Sequence, residues 1–318
     1  MFPETMYDDF VNYPQMMQIR DRTLWVHVQI PGQAREAPDL PSEYTFPSMN
    51  QVGEDLIHVL DELKIKQVVC FGEGAGAHIL GWFAIAHVDR VMGVCLIHCI
   101  GTTTGFMESV KDKMISWKFN TIGMNPSAEA YLVLHRFGSV FQLNKAKDKD
   151  QVKAAIENYQ SVLRTSTNTK NLKKFVESFL KRSNLSDRVK KLTCPVLLVA
   201  GQKSVFNQTT KSFHQSLVKQ CADKGRVEFI SIDGVANILE EAPDKLAESF
   251  QYFLQGLGVV SAVPMQHVTR IPRRMRSLSM EEYDKPKLRS RSMSGGSDTI
   301  SPLSSSPPAV PMLDAPAE

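Results

Sequence analysis

With 318 residues, of which 42% are hydrophobic and 22% charged, the chain has the composition of a soluble globular protein with room for one α/β domain and appendages. A net charge of +3 is too small to indicate nucleic-acid binding, and no apolar run of 18 residues predicts a transmembrane helix. Five cysteines in a chain of this length do not make a disulfide framework, and the first residues lack the basic and apolar segments of a secretory signal, so we expect a cytoplasmic protein.

The first hundred residues alternate between strand and helix patterns. Ser48 is a suitable cap for a helix that runs to about Leu63, with apolar residues on one face. The predicted order is a strand over Thr23–Gln29, the helix from Ser48, a strand over Gln67–Phe71, a helix over 77–87 and a strand over Val91–Ile97. This rhythm is typical of a parallel, doubly wound sheet with helices on both faces.

The pattern changes in the middle of the chain and then resumes. Residues 106–188 show helical spacing and no convincing strand, after which a strand (Cys194–Gly201), a helix (208–221), a strand (Arg226–Ile232) and a helix (243–254) are predicted. A strand-rich core interrupted by a helical cap is α/β-hydrolase-like. We therefore divide the chain into a core in two parts (1–105 and 191–258), a cap (106–190) and a Ser-, Arg- and Pro-rich tail (259–318) that is expected to be disordered.

A glycine-rich elbow joins the second predicted strand to the helix that follows it, in the sequence "VVCFGEGAGAHIL". In many hydrolases such an elbow carries a serine nucleophile at the centre of G-x-S-x-G, and here Gly74 takes that position. The orienting acid is expected after the next-to-last strand, where Ser204 stands, and the histidine after the last strand, where Asn237 stands. None of the three residues can supply the required chemistry, which argues against hydrolysis by this route.

The elbow has two other interpretations. The glycines formally match the dinucleotide motif G-x-G-x-x-A, but the next strand ends without the acidic residue that holds a ribose, and Glu73 would repel phosphate. Glycines also permit strained dihedral angles and close packing at an elbow that carries no nucleophile. We favour this structural interpretation, and predict neither a cofactor nor a catalytic residue.

Four segments together resemble the N-myc downstream-regulated (NDRG) family. They are "WVHVQIPGQ", "YTFPSMNQVGEDLIHVLDELKIKQVVCFGEGAGAHIL", "CPVLLVAGQ" and "FQYFLQGLG", and the resemblance covers about residues 10–258, with the cap the most diverged. It implies an α/β-hydrolase fold without the catalytic triad, and a role in signalling, stress response, growth control or differentiation.

The resemblance also predicts a gap in the sheet. In this fold the first strands lie upstream of the one equivalent to Thr23–Gln29, and here only 22 residues precede that segment. The chain therefore resembles a short isoform or a truncated gene product, and the strand between Thr23–Gln29 and Gln67–Phe71 is expected to be missing. Such a gap leaves unpaired main-chain groups near the middle of the sheet.

Several titratable residues could form a functional site, but each can also be explained by a purely structural role. Cys95 and Cys99 flank His98, but strand alternation places the histidine on the opposite face, so we predict buried thiols and no metal site. Glu73 and Asp233 could form a displaced acid pair, although two solvated loop carboxylates are the favoured interpretation.

The tail carries two copies of the pattern R-x-R-x-x-S, which basophilic kinases recognise by pairing acidic residues with the arginines. They predict phosphorylation of Ser279 and Ser294, with Ser277 and Ser292 as secondary candidates in the same segments. Proline-directed sites are suggested by the serines that precede prolines, Ser301 and Ser306. Residues 270–291 carry eight basic and three acidic groups, so weak attraction to anionic lipid or acidic partners is also predicted.

These observations predict a non-enzymatic protein of the NDRG type, acting in the cytoplasm as a signalling adaptor that is regulated by its tail. The expected partners are signalling proteins and basophilic Ser/Thr kinases, with a peripheral membrane contact through the tail and no nucleic acid. The alternative is an atypical small-molecule hydrolase or ligand-binding protein that uses the residual pocket without a triad.

Overall fold

A four-stranded parallel sheet organises the computed structural model, which describes residues 7–101, 126–138, 149–220, 224–261 and 263–264. The strands are β1 (Val68–Glu73), β2 (Val91–Ile97), β3 (Val196–Gly201) and β4 (Val227–Ile232). Each strand pairs with the next one along the chain. Because all four run in the same direction, the loops that follow their carboxyl ends meet at one edge of the sheet.

Ten α-helices surround this sheet among the described residues. They are α1 (Asp8–Val11), α2 (Met17–Arg20), α3 (Met49–Glu62), α4 (Ala75–Ala86), α5 (Pro126–Phe137), α6 (Lys149–Thr165), α7 (Thr169–Leu180), α8 (Asn207–Gln220), α9 (Ile238–Glu241) and α10 (Pro243–Gly256). Short 3-10 turns lie at Pro14–Met16, Val88–Arg90, Leu185–Asp187, Val189–Lys191 and Lys224–Arg226. No helix in the described ranges is long and apolar enough to cross a membrane.

The sheet is covered on both faces, as the sequence pattern predicted. Val94 and Leu96 of β2 belong to a core that they share with α3, α4, α7 and α8, whereas the alternate residues Cys95 and Ile97 belong to a second core with α10 and the N-terminal helices. This alternation is the period of two expected for a strand that is buried on both sides.

Local signals set the start of α3 and its contact with α4. The Ser48 side chain accepts a hydrogen bond from the Gln51 N–H at 3.4 Å, as predicted for the cap. Gly53 lies against α4 so closely that an added Cβ would be 2.6 Å from the Ile79 carbonyl oxygen. The two helices therefore pack main chain against main chain over the elbow.

Three helices, α5, α6 and α7, lie in the described parts of the segment between β2 and β3, where the sequence predicted helices. Glu129 of α5 is buried and receives two hydrogen bonds from Arg164 of α6, at 2.6 and 2.7 Å, and one from Gln160. Charge-assisted, bidentate bonds of this kind are stronger than neutral ones. They hold α5 and α6 together.

The predicted strand over Thr23–Gln29 is wrong, because this segment pairs with no strand of the described sheet. It has no regular secondary structure, its N–H groups at 24–29 bond to no described protein group, and Leu24 is 83% exposed. Extended residues become a strand only when a neighbouring chain supplies the ladder of hydrogen bonds. Here a cleft of about 510 Å³, which we call the edge groove, separates residues 23–30 from β1. In the described sheet β1 is therefore an edge strand.

Candidate functional site

The three positions expected to carry a catalytic triad lie after strands of the same sheet. Gly74 follows β1, Ser204 follows β3 and Asn237 follows β4. The loops after β3 and β4 are joined by a hydrogen bond from the Lys203 N–H to the Val235 carbonyl oxygen at 2.8 Å. The structure thus keeps these positions at the edge where a parallel α/β sheet carries its active site.

Gly74 preserves the backbone of a nucleophile elbow. Its dihedral angles are φ +56° and ψ −114°, a region that glycine adopts without the strain a larger residue would incur. Its N–H continues the ladder by donating to the Ile97 carbonyl oxygen at 2.9 Å. An added Cβ would meet no atom within 4 Å, so the elbow leaves space for a side chain that the sequence does not provide.

Ser204 and Asn237 use their side-chain oxygens as local caps. The Ser204 hydroxyl is buried and accepts a hydrogen bond from the Phe206 N–H at 3.2 Å. Asn237 is fully buried at the start of α9, where its side-chain oxygen accepts from the Leu239 N–H at 3.1 Å and its own N–H donates to Glu241 at 2.7 Å. Both residues therefore serve the loops in which they lie.

Glu73, beside the elbow, is not the solvated loop carboxylate favoured by the sequence. Its side chain is only 10% exposed and lies 3.3 Å from His98 Nδ1. The other ring nitrogen of His98 accepts the Gly201 N–H at 3.0 Å, and a main-chain N–H can only donate. The proton of the neutral ring is therefore on Nδ1, from which it is donated to Glu73. His98 thus connects the carboxyl ends of β1 and β3.

Two further residues surround the Glu73 carboxylate. The Tyr7 hydroxyl accepts the Glu73 N–H at 3.1 Å, and burial together with the nearby carboxylate raises the pKa of Tyr7. Arg136, on α5, forms an ion pair with Glu240 at 3.0 Å. Burial acts to raise the pKa of Glu73, but the hydrogen bond from His98 and the charge of Arg136 outweigh it and lower that pKa. The carboxylate is therefore held in its charged form inside the protein.

The remaining titratable candidates are structural or exposed. Cys95 and Cys99 are buried, as predicted, and burial raises the pKa of the Cys99 thiol to about 12. Asp233 is exposed in the turn after β4. Within the described ranges, no group of three or more His, Cys, Asp and Glu residues could hold a metal ion. The six tail serines lie outside the described residues, so their predicted phosphorylation stays a prediction.

The cluster of Tyr7, Glu73, His98 and Arg136 was missed by the sequence reasoning. Its members come from four separate parts of the chain, two of them outside any helix or strand, and share no spacing motif. The available signal was Glu73 itself, a carboxylate between two glycines at the end of an apolar strand. Such a position is close enough to the sheet to be buried, but its partners cannot be read from the chain.

Comparisons with known sequences identify the family of the chain. The Ndr family profile matches residues 3–261. An uncharacterised protein of Caenorhabditis elegans is 35% identical over 280 residues, covering 87% of this chain and 80% of its own length. Protein NDRG1 of Xenopus tropicalis is 29% identical and covers 84% of this chain, which spans 65% of that relative. Human protein NDRG2 is 27% identical over 97% of this chain and 79% of its own.

Solved structures show the same fold at low sequence identity. A carboxylesterase of the thaumarchaeon Nitrososphaera gargenis aligns with a TM-score of 0.53 at 15% identity, covering 74% of this chain and 80% of its own. A hydrolase of Pseudomonas aeruginosa aligns with a TM-score of 0.52 at 18% identity, covering 65% and 72%. The fold is therefore that of the α/β-hydrolases, and the chain belongs to the Ndr family.

Proposed function

We propose that the protein is a non-enzymatic Ndr-family member that acts in the cytoplasm as a signalling adaptor. The observation that carries this proposal is the state of the three triad positions. Gly74 has no side chain, and the oxygens of Ser204 and Asn237 accept main-chain hydrogen bonds. Acyl transfer by a triad needs a nucleophile, a base and an orienting acid, and these positions supply none of them.

His98 does not replace the missing base. A general base needs a free nitrogen lone pair within reach of the proton that it removes. The lone pair of Nε2 receives the Gly201 N–H, and Nδ1 carries the proton that is donated to Glu73. The ring is also 3% exposed. His98 is therefore committed to holding strands together.

An activity measurement tests the first part of the proposal. The purified chain and a Gly74→Ser variant are incubated with short-chain p-nitrophenyl esters and with a fluorophosphonate probe that labels activated serines. We expect no turnover and no labelling of either protein, because the variant gains a hydroxyl without a base. Space for the new side chain is available, so the variant should fold, with a loss of about 1–3 kcal/mol from the positive φ. The proposal would be contradicted if the wild-type chain turned over an ester at a measurable rate and the Glu73→Gln variant did not.

Regulation through the tail is the second part of the proposal. The pairs of arginines before Ser279 and Ser294 match the acidic groove of a basophilic kinase, and the surrounding residues are too polar to form a core. Each phosphate adds about −1.5 to −2 charges at neutral pH. With both serines phosphorylated, the net charge of residues 270–291 together with Ser294 would therefore fall from about +5 to between about +1 and +2.

Mass spectrometry after treatment with a basophilic kinase tests this part. We expect phosphate on Ser279 and Ser294, and its loss from the first site in Arg274→Ala and from the second in Arg289→Ala. Each arginine variant serves as the control for the other site. Modification of both serines at wild-type rates in both variants would contradict the assignment. Affinity capture with phosphorylated and unphosphorylated full chain would then identify the partners, and vesicles with and without anionic lipid would test the membrane contact.

A further inference from the structure

Basic residues are concentrated where the chain approaches the last two strands of the sheet. Residues 187–193 lie before β3 and residues 219–226 lie before β4, and these two strands are neighbours. By sequence the two segments contain six basic and two acidic residues, a net charge of +4, which exceeds the +3 of the whole chain. Five of the basic side chains are exposed in the structure and are called the amino-end patch here: Arg188, Lys190, Lys191, Lys219 and Arg226.

Specific contacts hold the two segments side by side. The Arg226 guanidinium donates a hydrogen bond to the Thr193 carbonyl oxygen at 3.2 Å, and the Gln220 side-chain amide donates to the Ser186 carbonyl oxygen at 3.3 Å. Adjacent strands lie about 4.8 Å apart, so the turns that precede β3 and β4 are also neighbours in space. The five basic side chains therefore belong to one continuous surface.

Buried neighbours fix the position of two of the lysines. Val189 and Leu192 are 0% and 4% exposed, and they anchor the turn before β3 in the core that it shares with α8. Lys190 and Lys191 lie between these two anchors and are exposed. The patch is therefore built on a fixed main chain, which lowers the entropic cost of ordering it when a ligand binds.

Most charges of the amino-end patch are not neutralised by the described chain. Within the described ranges, four members of the patch form no ion pair and no side-chain hydrogen bond, namely Arg188, Lys190, Lys191 and Lys219. The carboxylate of Asp187 accepts a hydrogen bond from the Asn184 side chain at 3.2 Å. Glu228 of β4 lies on the opposite face of the strand from Val227, which packs in the core with α8. Neighbouring like charges repel one another, so an anion that binds across them relieves this repulsion.

The composition of the patch favours a polypeptide as its ligand. Neither segment contains an aromatic residue, so the patch lacks the stacking surfaces on which proteins bind single-stranded nucleic acid. In the described parts of the two segments no large apolar side chain is exposed, so the patch also lacks the apolar anchor of a surface that inserts into a membrane. Three of its five members are lysines, which act as point charges and do not offer the planar fork with which arginine selects a single phosphate. Such a surface is complementary to a run of carboxylates.

We propose that the amino-end patch binds an acidic segment of a partner protein, a flexible stretch rich in Asp and Glu that contacts both the turn before β3 and the end of α8. Affinity comes from charge attraction at an exposed surface and therefore falls as salt is added. The proposal goes beyond the adaptor function, because it needs neither the degenerate triad nor phosphorylation of the tail. It names the chemistry that the folded domain itself recognises.

A binding measurement with a defined probe tests this proposal. The probe is a fluorescein-labelled peptide of six glutamates, and its control peptide has six glutamines in their place. We expect saturable binding of the glutamate peptide to the full chain at about 50 mM NaCl, measured by fluorescence anisotropy, and no binding of the glutamine peptide. Raising the salt to about 300 mM shortens the screening length and should weaken binding about tenfold.

Carbodiimide cross-linking locates the bound peptide on the full chain. The reagent couples a carboxylate to an amine that it contacts, and mass spectrometry identifies the products. We expect cross-links from the peptide to Lys190, Lys191 and Lys219. Lys211 and Lys245, which are exposed near the starts of α8 and α10 at the opposite end of the sheet, should form none.

Two double variants form a matched pair with the same net charge. Lys190→Glu with Lys191→Glu reverses two charges of the patch, whereas Lys211→Glu with Lys245→Glu reverses two charges outside it. All four lysines are exposed, so both proteins should keep the wild-type melting temperature. We expect about tenfold weaker binding of the glutamate peptide by the first variant, and a change of less than about twofold for the second.

Four results would overturn the proposal. The first is the absence of saturable binding at low salt. Equal affinities of the two double variants would show that the peptide responds to net charge and not to the patch. Cross-links confined to the tail would place the peptide outside the folded domain. Finally, if vesicles of phosphatidylcholine and phosphatidylserine, or an oligothymidine, bound more tightly than the peptide and only the patch variant lost that binding, the patch would recognise a membrane or a nucleic acid and not an acidic polypeptide.

Discussion

The free energy of unfolding should fall steeply as the pH is lowered from neutrality to pH 5, because a fully buried histidine cannot take up a proton. His78, on α4, is enclosed in the core, where the Trp82 indole N–H donates to its Nε2 at 3.1 Å. The ring proton is therefore on Nδ1, which donates to the Ile100 carbonyl oxygen at 3.0 Å. Burial, together with the positive charge of Arg182, lowers the pKa of His78 from 6.5 to about 3.

The size of the effect follows from the two pKa values. In the unfolded chain the imidazole has its ordinary pKa of about 6.5 and binds a proton as the pH falls, whereas the folded state excludes that proton until about pH 3. The free energy of the unfolded state therefore falls relative to that of the folded state throughout this window. One pKa unit corresponds to about 1.36 kcal/mol, so the loss of stability from this residue is about 2 kcal/mol at pH 5 and about 4 kcal/mol at pH 3.

Urea unfolding at pH 7.5 and at pH 5.0 measures this loss. His78→Gln keeps a donor and an acceptor but does not titrate, so its free energy of unfolding should fall by about 2 kcal/mol less than that of the wild-type chain over the same interval. His58→Gln changes an exposed histidine of α3 and serves as the matched control, with the wild-type pH dependence. Equal losses in the wild-type chain and His78→Gln would refute the assignment of a neutral, buried imidazole.

Two further predictions concern packing and the cluster beside the elbow. Gly53→Ala should lower the free energy of unfolding by about 1–3 kcal/mol, because its Cβ would lie 2.6 Å from the Ile79 carbonyl oxygen, whereas Gly256→Ala, with open space around it, should have little effect in the same urea titration. Glu73→Gln should cost about 1.5–3 kcal/mol at pH 7 by removing the charged partner of His98. Because the folded pKa of Glu73 is lowered, this contribution is present above the ordinary value of 4.5 and is lost as the pH falls through the folded pKa, so the two melting temperatures should converge in acid.

The parts of the fold that the sequence predicted well are those set by local chemistry. The helix after Ser48 begins at Met49 because a side-chain oxygen next to an apolar periodicity is sufficient to start a helix. The strand Val91–Ile97 has the predicted bounds because its seven residues, six of which are buried, form a continuous apolar run. In both cases the deciding interactions lie within a few residues of each other along the chain.

The prediction failed where the outcome depends on a distant partner. Thr23–Gln29 has the composition of a strand, but whether it enters a sheet is decided by what lies beside it, and there the structure has the edge groove. Glu73 was assigned to solvent because it follows a strand end in a glycine-rich turn. Its burial depends on Tyr7, His98 and Arg136, which are 25 or more residues away.

Restoring a catalytic residue at each of the three triad positions would have a different structural cost. Ser204→Asp would keep a side-chain oxygen for the Phe206 N–H, because aspartate caps main-chain groups as well as serine does. Asn237→His would remove the oxygen that accepts the Leu239 N–H in a fully buried site, and loss of such a cap costs about 0.5–2 kcal/mol. Gly74→Ser has room for its side chain but strains the backbone. By these magnitudes the nucleophile position is the largest structural barrier to a return of catalysis, since the positive φ of Gly74 costs a serine about 1–3 kcal/mol.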